Sequence, residues 1–225
     1  MSALAKDLPT ARHRVLLVDD HPVVREGLAK RINAEADLMV CAEAESAAQA
    51  LQRVQQCQPD VIVVDLALSK SHGLDLIKEI RAQHCQTPIL VFTMFDETTY
   101  ALRSVKAGAQ GYLTKGESSD RLLSAIRSVL AGDYALSPQI SRMFFESSLK
   151  RSAAVTALPH VLADRELQVL ELMGKGAGTR QIATQLGRSV KTIETYQGRI
   201  KRKLNLASAT ELMREAVRWV ETRRQ

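Results

Sequence analysis

In the first half of the chain, short apolar runs repeatedly end in a residue able to do chemistry. Val15-Leu16-Leu17-Val18 ends in Asp19-Asp20, Val61-Ile62-Val63-Val64 in Asp65, and the run 89–92 in Thr93, while Gly111-Tyr112-Leu113 is soon followed by Lys115. Singly, each has an ordinary explanation: an Asp after a strand caps the next helix, a Thr favours a strand, and a loop Lys is a solvated charge. If the runs are parallel strands, three carboxylates, one hydroxyl and one ammonium converge on one edge of one sheet. Carboxylates a few ångströms apart repel and so demand a cation, and an all-oxygen set suits Mg²⁺. With Lys115 to offset charge on transferred oxygens, the set fits a metal-assisted phosphoryl site.

A second set lies near the C-terminus. Ile193, Ile200 and Leu204 fall at helical spacing on one face, which packs inward. The opposite face carries Lys191, Thr195, Gly198 and Arg202, flanked by Thr192 and Arg199, a mix of phosphate-binding and base-reading side chains without apolar bulk. Gly198 on an exposed helix face should cost about 1 kcal/mol relative to Ala, so close approach of a nucleic acid gives a reason for it. Residues 161–225 hold 13 Lys and Arg against 7 Asp and Glu, which accounts for the whole net charge of +6. A basic unit behind a neutral one indicates that only the second part meets a polyanion, although a basic face is often merely solvated.

The elements that must position these residues follow from the periodicity. Strands at 15–18, 39–42, 61–64, 89–92 and 111–113 alternate with helices at 22–33, 46–55, 73–83, up to 107, and 119–131. Pro22 suits a first helical turn. Five such units predict a doubly wound parallel sheet, whose active site lies outside the carboxyl ends of the strands. After Gly132 the pattern breaks, and 133–160 reads as a linker with a short helix at 139–149. From residue 161 the pattern is helical: 164–173, 180–186, 190–204 and 210–223, with Gly174, Gly176, Gly178 and Gly187 punctuating turns, Ser189 as a cap, and Ser208 with Glu211 as a capping box. The fold expected is α/β, a five-stranded doubly wound parallel sheet over 12–132, then an all-α four-helix helix-turn-helix domain over 161–225. No apolar run approaches the roughly 18 residues that cross a bilayer, and the N-terminus lacks the order of a secretory signal, so a cytoplasmic location is expected. Cys41, Cys57 and Cys85 read as reduced thiols rather than metal ligands.

Val-Asp-Asp-His-Pro, Val-Asp-Leu followed by Gly73, Thr93 and Gly-Tyr-Leu-Thr-Lys, in order over 14–131, resemble the CheY-like (flavodoxin-like) receiver domain of two-component response regulators. The resemblance implies that Asp65 is the phosphoacceptor and that Asp20, Asp65 and the main-chain carbonyl of Ala67 hold Mg²⁺, with Asp19 supporting the ion through water. It also implies that Thr93 bonds a phosphoryl oxygen, that Lys115 pairs with the phosphoryl group, and that Tyr112 is an aromatic switch that turns inward as Thr93 moves; half-buried packing is the plainer role for Tyr112. Leu68-Ser69 replaces the usual Met-Pro, Gly116 the usual proline, and Met94 a small residue, changes that loosen or crowd the loops. Ala67 and Phe95 offer no polar group to orient water, which favours a long-lived phosphoryl-aspartate.

Leu162-Ala163-Asp164-Arg165-Glu166, Ile182-Ala183 and the stretch from Ser189 to Leu204 resemble the LuxR-type DNA-binding domain of NarL/FixJ regulators. Lys191, Thr192, Thr195, Arg199, Arg202 and Lys203 are then the expected DNA contacts. Ala163 replaces a threonine cap, with Asp164 as a substitute, and Tyr196 stands where histidine is frequent. Leu212, Ala216 and Val220 form either a dimer seam or internal core. The expected protein is a phosphorylation-controlled transcriptional regulator, not an enzyme, whose partners are a sensor histidine kinase, double-stranded promoter DNA and a second copy when active, with no membrane. A Mg²⁺-dependent phosphatase fits less well, because Asp-Asp-His replaces a spaced Asp-x-Asp and a helix-turn-helix would be out of place. The alternative is a phosphorylation-independent DNA-binding regulator whose receiver serves as a dimerisation module.

Overall fold

The computed structural model describes residues 12–68, 71–149 and 161–222, without the side chains of 147–149. Ser69, at which one departure from the receiver pattern falls, and the linker stretch 150–160 lie outside the described residues. Two compact units are present, one around a sheet and reaching Phe144, the other around the C-terminal helices.

In the first unit, β1 (His13–Val18), β2 (Leu38–Ala44), β3 (Val61–Val64), β4 (Ile89–Thr93) and β5 (Gly111–Thr114) form one sheet in the order β2-β1-β3-β4-β5, every pair parallel. The connections are α1 (Pro22–Asn33), α2 (Ala47–Cys57), α3 (Gly73–Ala82) and α4 (Glu97–Ala107), and α5 (Ser119–Leu130) follows β5. β3 and β4 are buried at every residue, so they read as continuous apolar runs rather than alternating ones. Val15, Leu17, Val63, Leu90 and Phe92 pack with Leu122, Ile126 and Val129 of α5 in one cluster. Helix starts are fixed by side chains of the preceding residue: Ser46, Asp96 and Ser118 accept from the N–H of Gln49, Thr99 and Arg121, while Pro22 opens α1 without needing a donor.

The register brings the strand ends level. Val18 pairs with Val64, Val64 with Val91, and Thr93 with Thr114. β1 has β2 on one side and β3 on the other, so the winding reverses there, and the crevice beyond the carboxyl ends of β1 and β3 is the place for a ligand. β2 runs from Leu38 to Ala44, longer than expected, because a register shift between Val15 and Leu16 skips Cys41 and continues the pairing past it.

The segment after α5 departs from its reading as open linker. Gly132 turns the chain at φ +91°, and Ala135 then bridges Gly111 in parallel: the N–H of Tyr112 donates to the Ala135 carbonyl at 2.9 Å, and the Ala135 N–H to the Gln110 carbonyl at 3.0 Å. The strap covers the free edge of β5 before α6 (Pro138–Leu149) begins.

The second unit contains α7 (Asp164–Gly174), α8 (Thr179–Gln185), α9 (Val190–Lys203) and α10 (Ala209–Glu221). Ser189 and Ser208 cap α9 and α10 as expected, although Glu211 returns its bond to the Ala207 N–H rather than to Ser208. Asp164 does not replace the missing threonine cap. Ala163 is itself the N-cap, Asp164 is already helical, and Glu166 accepts the Ala163 N–H at 2.8 Å. Gly174 ends α7 but serves close packing rather than a turn: a Cβ there would lie 2.1 Å from the Ala216 carbonyl oxygen and 2.6 Å from Val220 Cγ2. Leu212 and Ala216 are buried in the core of the unit, whereas Val220 is half-buried.

Candidate functional site

The acidic residues meet where the register places them. Lys115 Nζ donates to Asp19 Oδ2 and to Asp65 Oδ2, both at 2.6 Å, and both carboxylates are almost wholly buried. Burial by itself would lower the lysine's pKa, but the charge of Asp65 and the hydrogen bonds to Asp19 and Asp65 outweigh it and hold the pKa above the ordinary value. Lys115 is thus a fixed cation at neutral pH. The other oxygen of Asp65 accepts the Ala67 N–H at 3.1 Å, so the carboxylate is oriented from both sides. Thr93 is fully buried at the end of β4, its Oγ1 accepting from the Phe95 N–H at 3.4 Å, and its carbonyl accepts the Lys115 N–H at 2.7 Å. That backbone bond ties the strand-four threonine to the strand-five lysine.

The one ammonium bonds two of the three carboxylates, and Asp20 receives no bond from it. Its buried Oδ1 has no hydrogen-bond donor among the described residues. His21 Nδ1 lies 2.8 Å from that oxygen and 3.2 Å from Asp19 Oδ1, yet only the second contact has hydrogen-bonding geometry. An orphaned buried carboxylate oxygen beside two further carboxylates is the environment a divalent cation would complete, and the oxygen donors suit Mg²⁺. Ligand atoms of Asp19, Asp20, His21 and Asp65 all lie within 4.8 Å of one another. Nothing in the sequence singles out His21 beyond its place after the aspartate pair.

Tyr112 is buried, with its hydroxyl donating to the Phe95 carbonyl at 3.0 Å. Burial, with the nearby Tyr100 and Asp96 adding to it, raises its pKa well above the ordinary range, so the hydroxyl stays a donor. The Phe95 ring stacks on Tyr100 at 4.8 Å between centroids.

On α9, Ile193 and Ile200 are buried, while Lys191, Thr195, Gly198, Arg199 and Arg202 are exposed. Ser189, Lys191, Thr192, Thr195, Tyr196 and Arg199 line an open depression of about 350 Å³. Thr195 donates its hydroxyl to the Lys191 carbonyl at 2.9 Å, which leaves its methyl and lone pairs to face outward. Lys203 differs from the others: its ammonium sits 2.7 Å from buried Glu166 and ties α9 to α7.

Residues 15–127 match the response regulator receiver domain, and residues 160–216 match the bacterial regulatory proteins of the luxR family. The oxygen regulatory protein NreC of Staphylococcus carnosus is 35% identical over 210 residues, covering 91% of this chain and 97% of that protein. A crystal structure of a two-component response regulator of the LuxR family from Aurantimonas sp. is 37% identical, with TM-score 0.56 over 62% of this chain and 99% of that one. A structure of two RcsB dimers bound to two parallel DNAs is 25% identical, with TM-score 0.54 over 90% of this chain and 97% of that one. No described helix is long and apolar enough to cross a membrane. An acidic crevice at the strand ends and a basic helix behind a serine cap thus occupy, in order, the two halves of a chain that belongs to the response regulators, with a receiver domain and a LuxR-type DNA-binding domain.

Proposed function

We propose that this regulator acts in the cytoplasm, that a sensor histidine kinase phosphorylates Asp65, and that the modification controls promoter binding by α9. The observation that carries the proposal is the shared ammonium of Lys115, 2.6 Å from both Asp19 and Asp65, beside an Asp20 oxygen that has no donor among the described residues. Asp65 attacks phosphorus; an O–P bond forms as the P–N bond of the phosphohistidine breaks, and the imidazole leaves. Asp20, Asp65 and the Ala67 carbonyl would hold Mg²⁺, with Asp19 behind them, and the ion supplies positive charge to the transferred oxygens. Lys115 then exchanges its bond to Asp65 for one to the phosphoryl group, and Thr93 gives its hydroxyl to another oxygen. Because the Lys115 N–H is bonded to the Thr93 carbonyl, and Tyr112 to the Phe95 carbonyl, motion of Thr93 is felt along the β4–α4 connection.

Lys191, Thr192, Thr195, Arg199 and Arg202 are the proposed DNA contacts, with Lys203 bracing the helix that carries them. By analogy with the RcsB dimers on DNA, two copies read two half-sites about one helical turn apart. The test is binding to random-sequence DNA pools with and without acetyl phosphate and Mg²⁺, for the native chain and Asp65→Asn. Tighter selective binding only when Asp65 can be modified supports the switch. One observation favours a second reading: Tyr112 already stands inward, with no outward-to-inward rotation left to make. Selective binding indifferent to phosphodonor and to Asp65→Asn establishes that reading, in which the receiver serves dimerisation alone.

A further inference from the structure

His21 stands among the carboxylates as closely as they stand to one another. It is the N-cap of α1, with φ −91° and ψ 106°, and its side chain makes no capping bond. Its backbone N–H donates instead to Asp19 Oδ1 at 2.9 Å, which pins the base of the side chain against the cluster. Pro22 follows and restricts His21 to extended geometry, so the ring is held over the crevice by local structure.

Two ligand atoms in adjacent positions on an octahedral ion with bonds of roughly 2.1 Å are separated by about 3.0 Å. Nδ1 of His21 lies 2.8 Å from Asp20 Oδ1 and 3.2 Å from Asp19 Oδ1, on either side of that value. The nearer contact lacks hydrogen-bonding geometry, and this oxygen has no donor from any described residue. Nδ1 donates to Asp19 Oδ1 at 3.2 Å, and in the tautomer that carries the proton on Nε2 its lone pair faces the same space as the Asp19 and Asp20 oxygens, as a further ligand of one ion would. The ring is 61% exposed, so it lies at the mouth of the crevice, where an entering ion first meets the protein.

We propose that His21 Nδ1 is itself a metal ligand, and that it biases the receiver's site away from Mg²⁺ and toward borderline divalent ions, from Mn²⁺ to Zn²⁺. The proposal rests on the reading of the aspartate cluster as a divalent-metal site. An imidazole adds little for Mg²⁺, which prefers oxygen and retains its waters, but it strengthens binding of first-row transition ions along the series from Mn²⁺ upward. The metal available to the cell would thereby enter the control of phosphorylation.

The experiment titrates the full-length protein at pH 8 with Mg²⁺, Mn²⁺ and Co²⁺ by calorimetry, for the native chain, His21→Ala and Asp20→Asn, and records the pulsed EPR of bound Mn²⁺. The native chain should show nitrogen coupling from a directly bound imidazole. His21→Ala should lose that coupling and bind Mn²⁺ and Co²⁺ about tenfold more weakly, in line with the rise in affinity that a nitrogen ligand confers along the series, with Mg²⁺ affinity little changed. Bound Mn²⁺ without nitrogen coupling, or equal weakening for all three ions, overturns the role of His21. A native chain that binds no divalent ion, or binds it as well after Asp20→Asn, fails the aspartate-site reading itself and is distinguishable from either result.

Discussion

Asp19 and Asp65 share the ammonium of Lys115, and Asp20 stands beside them with a buried oxygen that accepts no hydrogen bond from the described residues. Of the three carboxylates, Asp20 is the one to which Lys115 does not bond. Replacing Asp20 by Asn removes a charge that its neighbours repel, so Asp20→Asn should raise stability in EDTA by about 1 kcal/mol while abolishing Mg²⁺ binding. Urea unfolding with and without Mg²⁺ reads both effects; a variant less stable than the native chain in EDTA shows that Asp20 is held by something other than an ion. Gly198 supplies a second residue-scale test. A Cβ there meets nothing within 4 Å, so Gly198→Ala should gain about 0.5–1 kcal/mol of stability from helix propensity. If the glycine is there for close approach of DNA, affinity falls as stability rises, and unchanged affinity assigns it no such role. The aspartates, Thr93 and Lys115 are legible in the sequence because each terminates an apolar run. His21 is not, since its position depends on backbone geometry at the first turn of α1.

At the scale of elements, the strands and helices follow from periodicity, while features built from one or two residues do not. The strap at Ala135 has no alternation to announce it, and the packing of α7 on α10 at Gly174 looks in sequence like one more turn glycine. The strap is anchored on β5, the strand that carries Tyr112 and leads into Lys115. A Cβ on Gly111 would lie 2.6 Å from Leu90 Cδ1 and 3.0 Å from Ala135 Cβ, so Gly111→Val should lift the strap and cost about 1–3 kcal/mol. Hydrogen exchange at the Tyr112 amide, bonded to the Ala135 carbonyl, should accelerate more than exchange within β3. Uniform acceleration across the sheet would mean that the strap is not a separable element. On the α1–α5 side, Arg127 bonds Asp37 and holds its pKa at about 2, below the ordinary carboxylate value. A lowered folded pKa gives stability that is present above the unfolded value and is lost as pH falls toward 2. Arg127→Ala should therefore have a lower urea midpoint than the native chain at pH 6, with the gap closing by pH 2; the pair is largely exposed, so the gap should be small.

The whole molecule separates its charge as it separates its chemistry. Residues 1–160 are neutral in sum and contain the acidic crevice, whereas residues 161–225 carry the entire excess of +6. Such a division places the excess positive charge that attracts DNA in the second unit. The composition shows this division directly, but it cannot show which cations are free. Lys191 and Lys203 look equivalent in sequence, yet Lys191 is exposed on the groove of α9 while Lys203 is engaged by Glu166 at 2.7 Å. The salt dependence of DNA binding separates the two roles, because each phosphate contact contributes about 0.9 to the slope of log affinity against log salt concentration. Lys191→Ala should reduce that slope by about 1 for each bound chain and leave the melting temperature nearly unchanged. Lys203→Ala should do the reverse, with a lower melting temperature from the stranded Glu166 carboxylate and a slope close to native. Arg127→Ala, in the receiver, should leave the slope untouched. A full unit lost with Lys203→Ala would mean that the Glu166 pair opens on DNA, making the helix brace part of the recognition surface.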